Sequence, residues 1–402
     1  MQHIGLLWIH IALQFLMANK VSRDRTPANP SNPGDYAPRG RVYIGLVTQE
    51  LAGHTRRFER MANAPLELAT LPEKLLEALG RVVPFDRFCW GAVDPSSLLP
   101  ARAAGTTIPC TTPLIWEVNE LVARGLVPRD VRALARSGRC VARPSEFVEE
   151  TNEKSPEYER VRVPRELQYQ LRAALVVDGM HWGLLHIERR HPDFTSREVA
   201  LVDALAPHLA HAFRRWILAE PNHSTDTGRP VLPGVIVLDQ DYEVDSISPE
   251  AEHWLSEWGY ADLKIPPPAI AAVVGAARAR ADGSNNEITP SVRLRLPTGT
   301  WLHVRATHLS RPDRKPRTAI VLERASPDQI APLVARAHQL SPRESEIALL
   351  VLRGLSTSEI AAKLFVSAYT VQDHFKSIFE KVGVRSRREL ATEIFETHLG
   401  AA

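Results

Sequence analysis

The sequence predicts a multi-domain α+β protein that ends in an all-α block of four helices. At 402 residues the chain is long for a single hydrophobic core and suits two to four domains. Strand and helix patterns mix over residues 61–325, whereas only helical patterns and helix caps follow residue 335. The expected divisions are an extension partly disordered at 1–60, α/β domains at 61–218 and 230–325, and a helical domain at 335–402.

Composition and charge set limits on function. Hydrophobic residues make up 44% of the chain and charged residues 24%, which is typical of a soluble globular protein. The net charge of +2 means that any surface that binds a polyanion must be local. The three cysteines, Cys89, Cys110 and Cys140, form no closely spaced pair, which fits a reducing cytoplasm and argues against a disulfide framework or a zinc ribbon.

The amino-terminal region contains an apolar run at residues 4–17. It has 14 residues, fewer than the ~20 that a helix needs to span a bilayer, and it includes His10 and Gln14. An accessory helix or a misplaced start codon is the preferred interpretation, and a signal or membrane anchor remains the alternative. Residues 23–40, rich in Pro, Asn and Gly, are expected to be disordered.

The first α/β block has a helical pattern at Leu71–Val82 and a strand pattern at Phe85–Val93. Leu171–Val177 and Trp182–Glu188 are predicted strands joined by the turn signal Asp178-Gly179. A long helix is predicted over Thr195–Trp216. The strand pair and the run from Phe194 to His208 resemble a GAF sensor domain. The resemblance implies a module that binds a small molecule or a protein, and it does not identify the ligand.

The second α/β block is smaller. It alternates five predicted strands with two helices inserted after the second strand. Pro233–Asp239, Ser248–Ala251 and Gly299–Trp301 resemble parts of a PAS domain. The predicted strands are 235–238, 244–247, 291–296, 301–309 and 318–323, and the helices are 249–258 and 269–281.

Helix caps organise the C-terminal block after a predicted connecting helix at 327–338. Ser341-Pro342-Arg343-Glu344 and Ser356-Thr357-Ser358-Glu359 each have the spacing of a capping box. Ser367 caps a third helix that ends at Gly383, and Ser386–Glu389 opens a fourth. A short helix, a tight turn and a longer helix make up the helix-turn-helix layout.

The third helix of this block carries the candidate base-reading residues. Val371, Phe375, Ile378 and Val382 recur at helical spacing, so Gln372, Asp373 and Lys376 point away from the core. Gln can hydrogen-bond adenine and Asp can accept from cytosine. Residues 363–388 include six basic residues and only two acidic ones, so this region is locally basic. The candidates for phosphate contacts are Thr370, His374, Lys381, Arg385, Arg387 and Arg388.

Several separated segments resemble the LuxR family of helix-turn-helix regulators, and the resemblance as a whole extends over nearly all of the last ~65 residues. They are 340–344, 354–361, 367–374 and 381–384. The resemblance implies a cytoplasmic, sequence-specific DNA-binding transcriptional regulator. Its partners would be double-stranded DNA, a second copy of the chain on DNA, RNA polymerase and a small-molecule effector. It also makes Leu390, Ile394 and His398 of the last helix candidates for a dimer interface. Many family members carry Lys or Arg where Gln372 stands, so base preference is expected to differ.

Cofactor and catalytic sites are not expected. His208 and His211 have a helical spacing that permits shared metal ligation, whereas His181 and His186 should point to opposite faces of one strand. Surface or hydrogen-bonded histidines are the preferred interpretation, and Cys89 and Cys140 are interpreted as small buried hydrophobes rather than redox sensors.

No nucleophile, base and orienting group come together in the sequence, so an enzyme is not predicted. The remaining alternative is a signalling or scaffold protein whose helical block binds protein, and the basic face of the third helix favours DNA over it.

Overall fold

The computed structural model describes residues 39–64, 70–106, 114–125, 134, 140–143, 169–218, 232–311 and 314–399. The apolar run at 4–17, nearly all of 23–40 and all of residues 220–230, which link the two α/β blocks, lie outside these ranges. No helix among the described residues is long and apolar enough to cross a membrane.

Five strands form a first antiparallel sheet in the order β2-β1-β5-β4-β3. The predicted hairpin is confirmed, because β4 and β5 pair across Asp178 and Gly179, both at positive φ, as a tight two-residue turn requires. The bounds are β1 Arg87–Val93, β2 Pro100–Thr106, β3 Val141–Ala142, β4 Tyr169–Val177 and β5 Met180–Arg189.

Three helices cover the apolar face of this sheet: α1 (Arg39–Asn63), α2 (Leu71–Gly80) and α4 (Ser196–Leu218). The predicted long helix α4 begins at a cap in which Thr195 N donates to Glu198 Oε2 at 2.7 Å and Glu198 N donates to Thr195 Oγ1 at 3.2 Å. A Cβ on Gly183 would stand 2.8 Å from the carbonyl oxygen of Gly91, so only glycine allows β1 and β5 to pack there.

A second antiparallel sheet repeats the strand arrangement of the first, in the order β7-β6-β10-β9-β8. The helix α5 (Pro249–Trp258) and the buried helix α6 (Pro268–Ala281) pack on it. The strands are β6 Gly234–Leu238, β7 Val244–Ile247, β8 Ser291–Arg295, β9 Trp301–Arg311 and β10 Arg314–Arg324.

One helix of the first block crosses over to the second core. The side chains of Trp116 and Leu121 in α3 (Leu114–Ala123) are buried with those of α6. The backbones approach so closely that a Cβ on Gly275 would lie 2.6 Å from the Asn119 carbonyl oxygen. The two sheets are therefore joined by packing as well as by the chain. The elements β2, α3 and β3 were not predicted from the sequence.

The C-terminal part is entirely helical, as predicted. The helix α7 (Pro327–Ala337) connects the second sheet to four further helices and packs against α4. These four helices are α8 Pro342–Leu352, α9 Thr357–Leu364, α10 Ala368–Val382 and α11 Arg387–Leu399.

Candidate nucleic-acid interface

The helix α8 begins at a complete capping box whose glutamate also ties α8 to α10. Ser341 N donates to Glu344 Oε2 at 2.7 Å, and Glu344 N donates to Ser341 Oγ at 3.3 Å. The same carboxylate accepts from Ser377 Oγ and from Lys381 Nζ, each at 2.6 Å. Glu344 is buried, so these bonds join the first and third helices of the domain from inside it.

The electrostatics of Glu344 follow from this arrangement. Loss of water around the carboxylate works to raise its pKa. The hydrogen bonds from Lys381, Ser377 and Ser341 outweigh that loss and hold the pKa of Glu344 at about 2. The group is therefore a carboxylate near neutral pH, paired with the Lys381 ammonium.

The turn between α9 and α10 gives the domain its helix-turn-helix geometry. A second capping box starts α9, with Ser356 N donating to Glu359 Oε2 at 2.7 Å. α9 ends at Phe365, whose backbone is left-handed at φ 56 and ψ 42. Ser367 then caps α10 by accepting from Thr370 N at 3.0 Å. The chain thus turns from one helix to the next within three residues, and both helices are capped locally.

α10 presents a packed face and an exposed face. Val371, Phe375 and Ile378 are buried against α8 and α9, and Gly383 ends the helix at φ 82. Gln372, Asp373 and Lys376 are exposed, as the spacing predicts. Lys376 Nζ lies 3.0 Å from Asp373 Oδ1 in an exposed pair one turn apart. The exposed face therefore offers an amide, a carboxylate and an ammonium group.

The predicted phosphate-contact residues differ in their exposure and in their contacts within the domain. Arg385 and Arg388 are exposed at the end of α10 and the start of α11. His374 is half-buried, and Thr370 Oγ1 lies 2.8 Å from Ser367 Oγ within the cap. Lys381 is exposed but bound to Glu344, as described above.

Arg387 is held inside the domain. It donates to the Leu355 carbonyl oxygen and to Thr357 Oγ1, and its guanidinium lies 5.4 Å from the Phe375 ring centroid. These internal contacts of Lys381 and Arg387 were not predicted from the sequence, because their partners lie 37 and 30 residues away along the chain. The candidate dimer residue Leu390 is completely buried in the domain core, which argues against an interface role, and the side chains of Ile394 and His398 lie outside the described part.

The connecting helix α7 is hydrogen-bonded to an ion pair that joins the two sheets. Asp94, at the end of β1, accepts from Arg293 of β8 through the backbone N–H and Nε, both at 2.9 Å, and through Nη2 at 2.6 Å. Arg293 Nη1 also donates to the Gln329 carbonyl oxygen in α7 at 2.6 Å. One guanidinium thus joins the first sheet, the second sheet and the helix that leads to the C-terminal domain. We call Asp94, Arg293 and Gln329 the junction.

A second link runs from the first sheet's hairpin to the segment just before α8. Asp178 Oδ2 accepts from Gln339 Nε2 at 2.7 Å and from Arg214 Nη1 of α4 at 2.8 Å. Gln339 follows α7 and has a left-handed backbone at φ 59. The upstream blocks therefore contact the chain at two places before α8, at Gln329 within α7 and at Gln339 just after it.

The histidines of β5 differ from the sequence expectation. His181 pairs with Val176 and His186 with Arg172, and a bulge lies between the two pairs. Because a bulge adds one residue to a strand, both histidines lie on the sheet face opposite to the α4-covered one, and the predicted opposite orientation is wrong. His186 Nε2 lies 3.3 Å from Glu188 Oε1 inside the protein.

Metal ligation is not supported by the geometry of the described residues. Among them, no three His, Cys, Asp or Glu side chains come together as metal ligands. His211 Nδ1 lies 2.6 Å from Arg214 Nη2. Burial and the charge of Arg214 lower the pKa of His211 to about 4, so it is neutral near pH 7 and accepts from that arginine. Cys89 is buried in β1, and Cys140 is half-buried.

Comparison with known proteins identifies the family of the C-terminal domain. Residues 338–394 match the family model described as bacterial regulatory proteins, luxR family. This segment is a LuxR-type helix-turn-helix domain. A helix-turn-helix-type transcriptional regulator of Mycobacterium bovis is 44% identical over 54 residues, 13% of this chain and 6% of that protein. The oxygen regulatory protein NreC of Staphylococcus aureus is 49% identical over 51 residues, 13% of this chain and 24% of that protein.

The matched segments span only 6 to 24% of these relatives' own length. Two solved structures overlap more of the chain. A Vibrio cholera VqmA–ligand–DNA complex covers 42% of this chain and 84% of its own at 20% identity, with a TM-score of 0.20. PelD from Pseudomonas aeruginosa covers 73% and 82% at 13% identity, with a TM-score of 0.24. Overlaps this weak do not establish a shared fold.

Proposed function

We propose that this protein is a sequence-specific DNA-binding transcriptional regulator that binds a two-fold-symmetric site as a dimer. The observation that carries the proposal is the exposed face of α10 in a LuxR-type helix-turn-helix domain. The second helix of such a motif enters the major groove and meets base edges with residues near its N-terminus. Gln372, Asp373 and Lys376 occupy that part of α10 and are exposed.

Each group has a chemical role in the proposed complex. Gln372 would hydrogen-bond adenine N6 and N7, and Asp373 would accept from cytosine N4 once Lys376 turns toward a phosphate. Arg385 and Arg388, which are exposed, would add phosphate contacts. Thr370 and His374 have shorter side chains and would contact phosphates near the start of α10. Lys381 and Arg387 would contribute charge while they remain bound within the domain.

A binding-site selection with the full chain tests the proposal. We expect wild type to enrich a two-fold-symmetric motif, and Gln372→Ala to change the base preference at one position of each half-site. Arg353→Ala is the control, because Arg353 is exposed on the side of the domain that faces α7, where it pairs with Asp328. Failure to retain any DNA at low salt would overturn the proposal and favour the protein-binding alternative.

We further propose that the two upstream blocks are sensor domains, GAF-like at 61–218 and PAS-like at 230–325, that respond to a small-molecule effector. The shared strand order of the two sheets supports this assignment. In each sheet the first two strands form a hairpin at one edge, and the last strand along the chain lies at the centre. The cytoplasm, where the chromosome is accessible, is the location that fits this function, and RNA polymerase is the partner through which a regulator would act.

The junction is the proposed route from these sensors to DNA. Arg293 contacts both Asp94 and the Gln329 carbonyl, so a shift of one sheet against the other would move α7. Asp178 holds Gln339, immediately before α8, through a separate bond. A ligand that binds one arrangement of the sheets more tightly would therefore bias the orientation of the DNA-binding domain.

A further inference from the structure

Two large aromatic side chains of the helix-turn-helix domain stand in solvent. Phe365, in the turn before α10, is 95% exposed, and Tyr369, in the first turn of α10, is 74% exposed. The other aromatic rings of α10 behave differently, since Phe375 is buried and stacks on Phe379 at a centroid distance of 5.7 Å. Folding of the domain therefore does not use the rings of Phe365 and Tyr369.

Phe365 has a left-handed backbone, which a bulky residue rarely adopts. A left-handed conformation is unfavourable for most side chains, and glycine or asparagine adopt it more readily. The sequence has a bulky ring at this position, and that ring gains nothing from packing. Strained residues of this kind collect at functional surfaces.

Tyr369 belongs to the stripe of α10 that carries the base-reading candidates. Residues three, four and seven positions apart share one face of a helix, and Gln372, Asp373 and Lys376 follow Tyr369 at those spacings. All four side chains are exposed. The polar surface thus continues without interruption into an aromatic edge formed by Tyr369 and Phe365.

On the proposed function of α10, we infer that Tyr369 is a further specificity residue that packs its ring on the C5-methyl group of a thymine, with Phe365 packed on the adjoining deoxyribose. The thymine methyl is the apolar feature of the major groove, and side-chain carbon atoms read it by contact. Tyr369 lies on the N-terminal side of Gln372, so the thymine flanks the base that Gln372 reads.

The surroundings of the two rings favour DNA as the occupant. The exposed cations Lys363 and Lys376 lie on either side of them along the chain, and this local excess of positive charge suits a polyanion. The surface is also continuous with the Gln372 and Asp373 side chains, which would leave too few apolar neighbours for a hydrophobic protein contact.

The test uses full-length protein and a selected DNA site in which deoxyuridine replaces thymidine one position at a time. This exchange removes only the C5-methyl group. Burying one methyl group raises affinity about fourfold. In each half-site, exchange at one position should therefore weaken wild-type binding about fourfold relative to the unsubstituted site. Tyr369→Ala should bind the thymine and uracil sites equally, and Tyr369→Phe, which keeps the ring, should behave as wild type.

Two further variants complete the design. Phe365→Asn keeps a residue that tolerates the left-handed turn, and it should weaken binding to the thymine and uracil sites by the same factor. Leu309→Ala, at an exposed position of β9, should leave both affinities unchanged. Thermal unfolding midpoints should match wild type for the Tyr369 and Leu309 variants, because the altered side chains are exposed. The midpoint of Phe365→Asn should be equal or higher, because asparagine tolerates the left-handed backbone better than phenylalanine does.

The outcomes separate this inference from the proposed function. If wild type binds a symmetric site but is insensitive to every uracil exchange, the thymine contact is wrong and the DNA-binding proposal stands. The same holds if Tyr369→Ala keeps the fourfold preference for thymine. If no variant and no wild-type protein retains DNA at low salt, both proposals are overturned.

Discussion

The helix caps of the helix-turn-helix domain and the junction are formed by bonds of very different range. In the domain, Ser356 bonds to Glu359 and Ser367 to Thr370, three residues apart in each case. In the junction, Asp94 and Arg293 are 199 residues apart and are both largely removed from solvent. Local bonds define where helices start and leave a surface free for a partner. The long-range bond fixes how whole sheets meet.

Removing Arg293 should have the largest effect on stability. Arg293→Ala would leave the Asp94 carboxylate buried without its guanidinium, and breaking a buried pair in this way costs about 3–5 kcal/mol. Urea denaturation followed by circular dichroism would measure the free energy of the first unfolding transition.

The matched control for this comparison is Arg305→Ala on the neighbouring strand β9. Arg305 pairs with Glu323 at 2.9 Å, but its side chain is half exposed, and such pairs contribute at most about 1 kcal/mol. Equal losses for the two variants would remove the distinction between the junction and the ordinary surface.

A smaller, pH-dependent effect is expected at Glu344 in the helix-turn-helix domain. Its folded-state pKa of about 2 lies below the ordinary 4.5. A depressed carboxyl pKa stabilises the folded state above the ordinary value, and that stability is lost as the pH falls from about 4.5 to about 2. Glu344→Gln should therefore be less stable than wild type at pH 7, and the difference should shrink across this window.

Thermal unfolding monitored at several pH values would check this prediction. Glu346→Gln is the control for the loss of one negative charge, because Glu346 is exposed and pairs only with neighbouring Arg343 among the described contacts. A constant difference between Glu344→Gln and wild type from pH 7 to pH 2 would contradict the assigned role of the carboxylate.

Much of the C-terminal domain could be predicted from sequence because its signals are local. The serine caps, Gly383 and the spacing of Val371, Phe375 and Ile378 specify helices within a few residues. The outward position of Gln372, Asp373 and Lys376 followed from that spacing alone. Glu344 was recognised as a cap, but its bond to Lys381, 37 residues away, needed the fold.

The upstream blocks were less predictable for physical reasons. The strand β2 has the sequence Pro-Ala-Arg-Ala-Ala-Gly-Thr, which is poor in β-branched and aromatic residues, and its pairing with β1 makes it a strand. A single bulge reversed the expected orientation of His181 relative to His186. The junction could not be predicted at all, since neither Asp94 nor Arg293 has a local pattern that identifies its partner.

The most direct test of the central claim, that the exposed face of α10 binds DNA, is the salt dependence of DNA affinity. Wild-type, Lys376→Ala and Arg353→Ala proteins would be titrated with the selected site across a salt series. Because each phosphate contact adds about one to the slope of log affinity against log salt, Lys376→Ala should be weaker with a slope shallower by about one per bound copy. Arg353→Ala should match wild type. Identical slopes for all three proteins, or no retention at low salt, would contradict the claim.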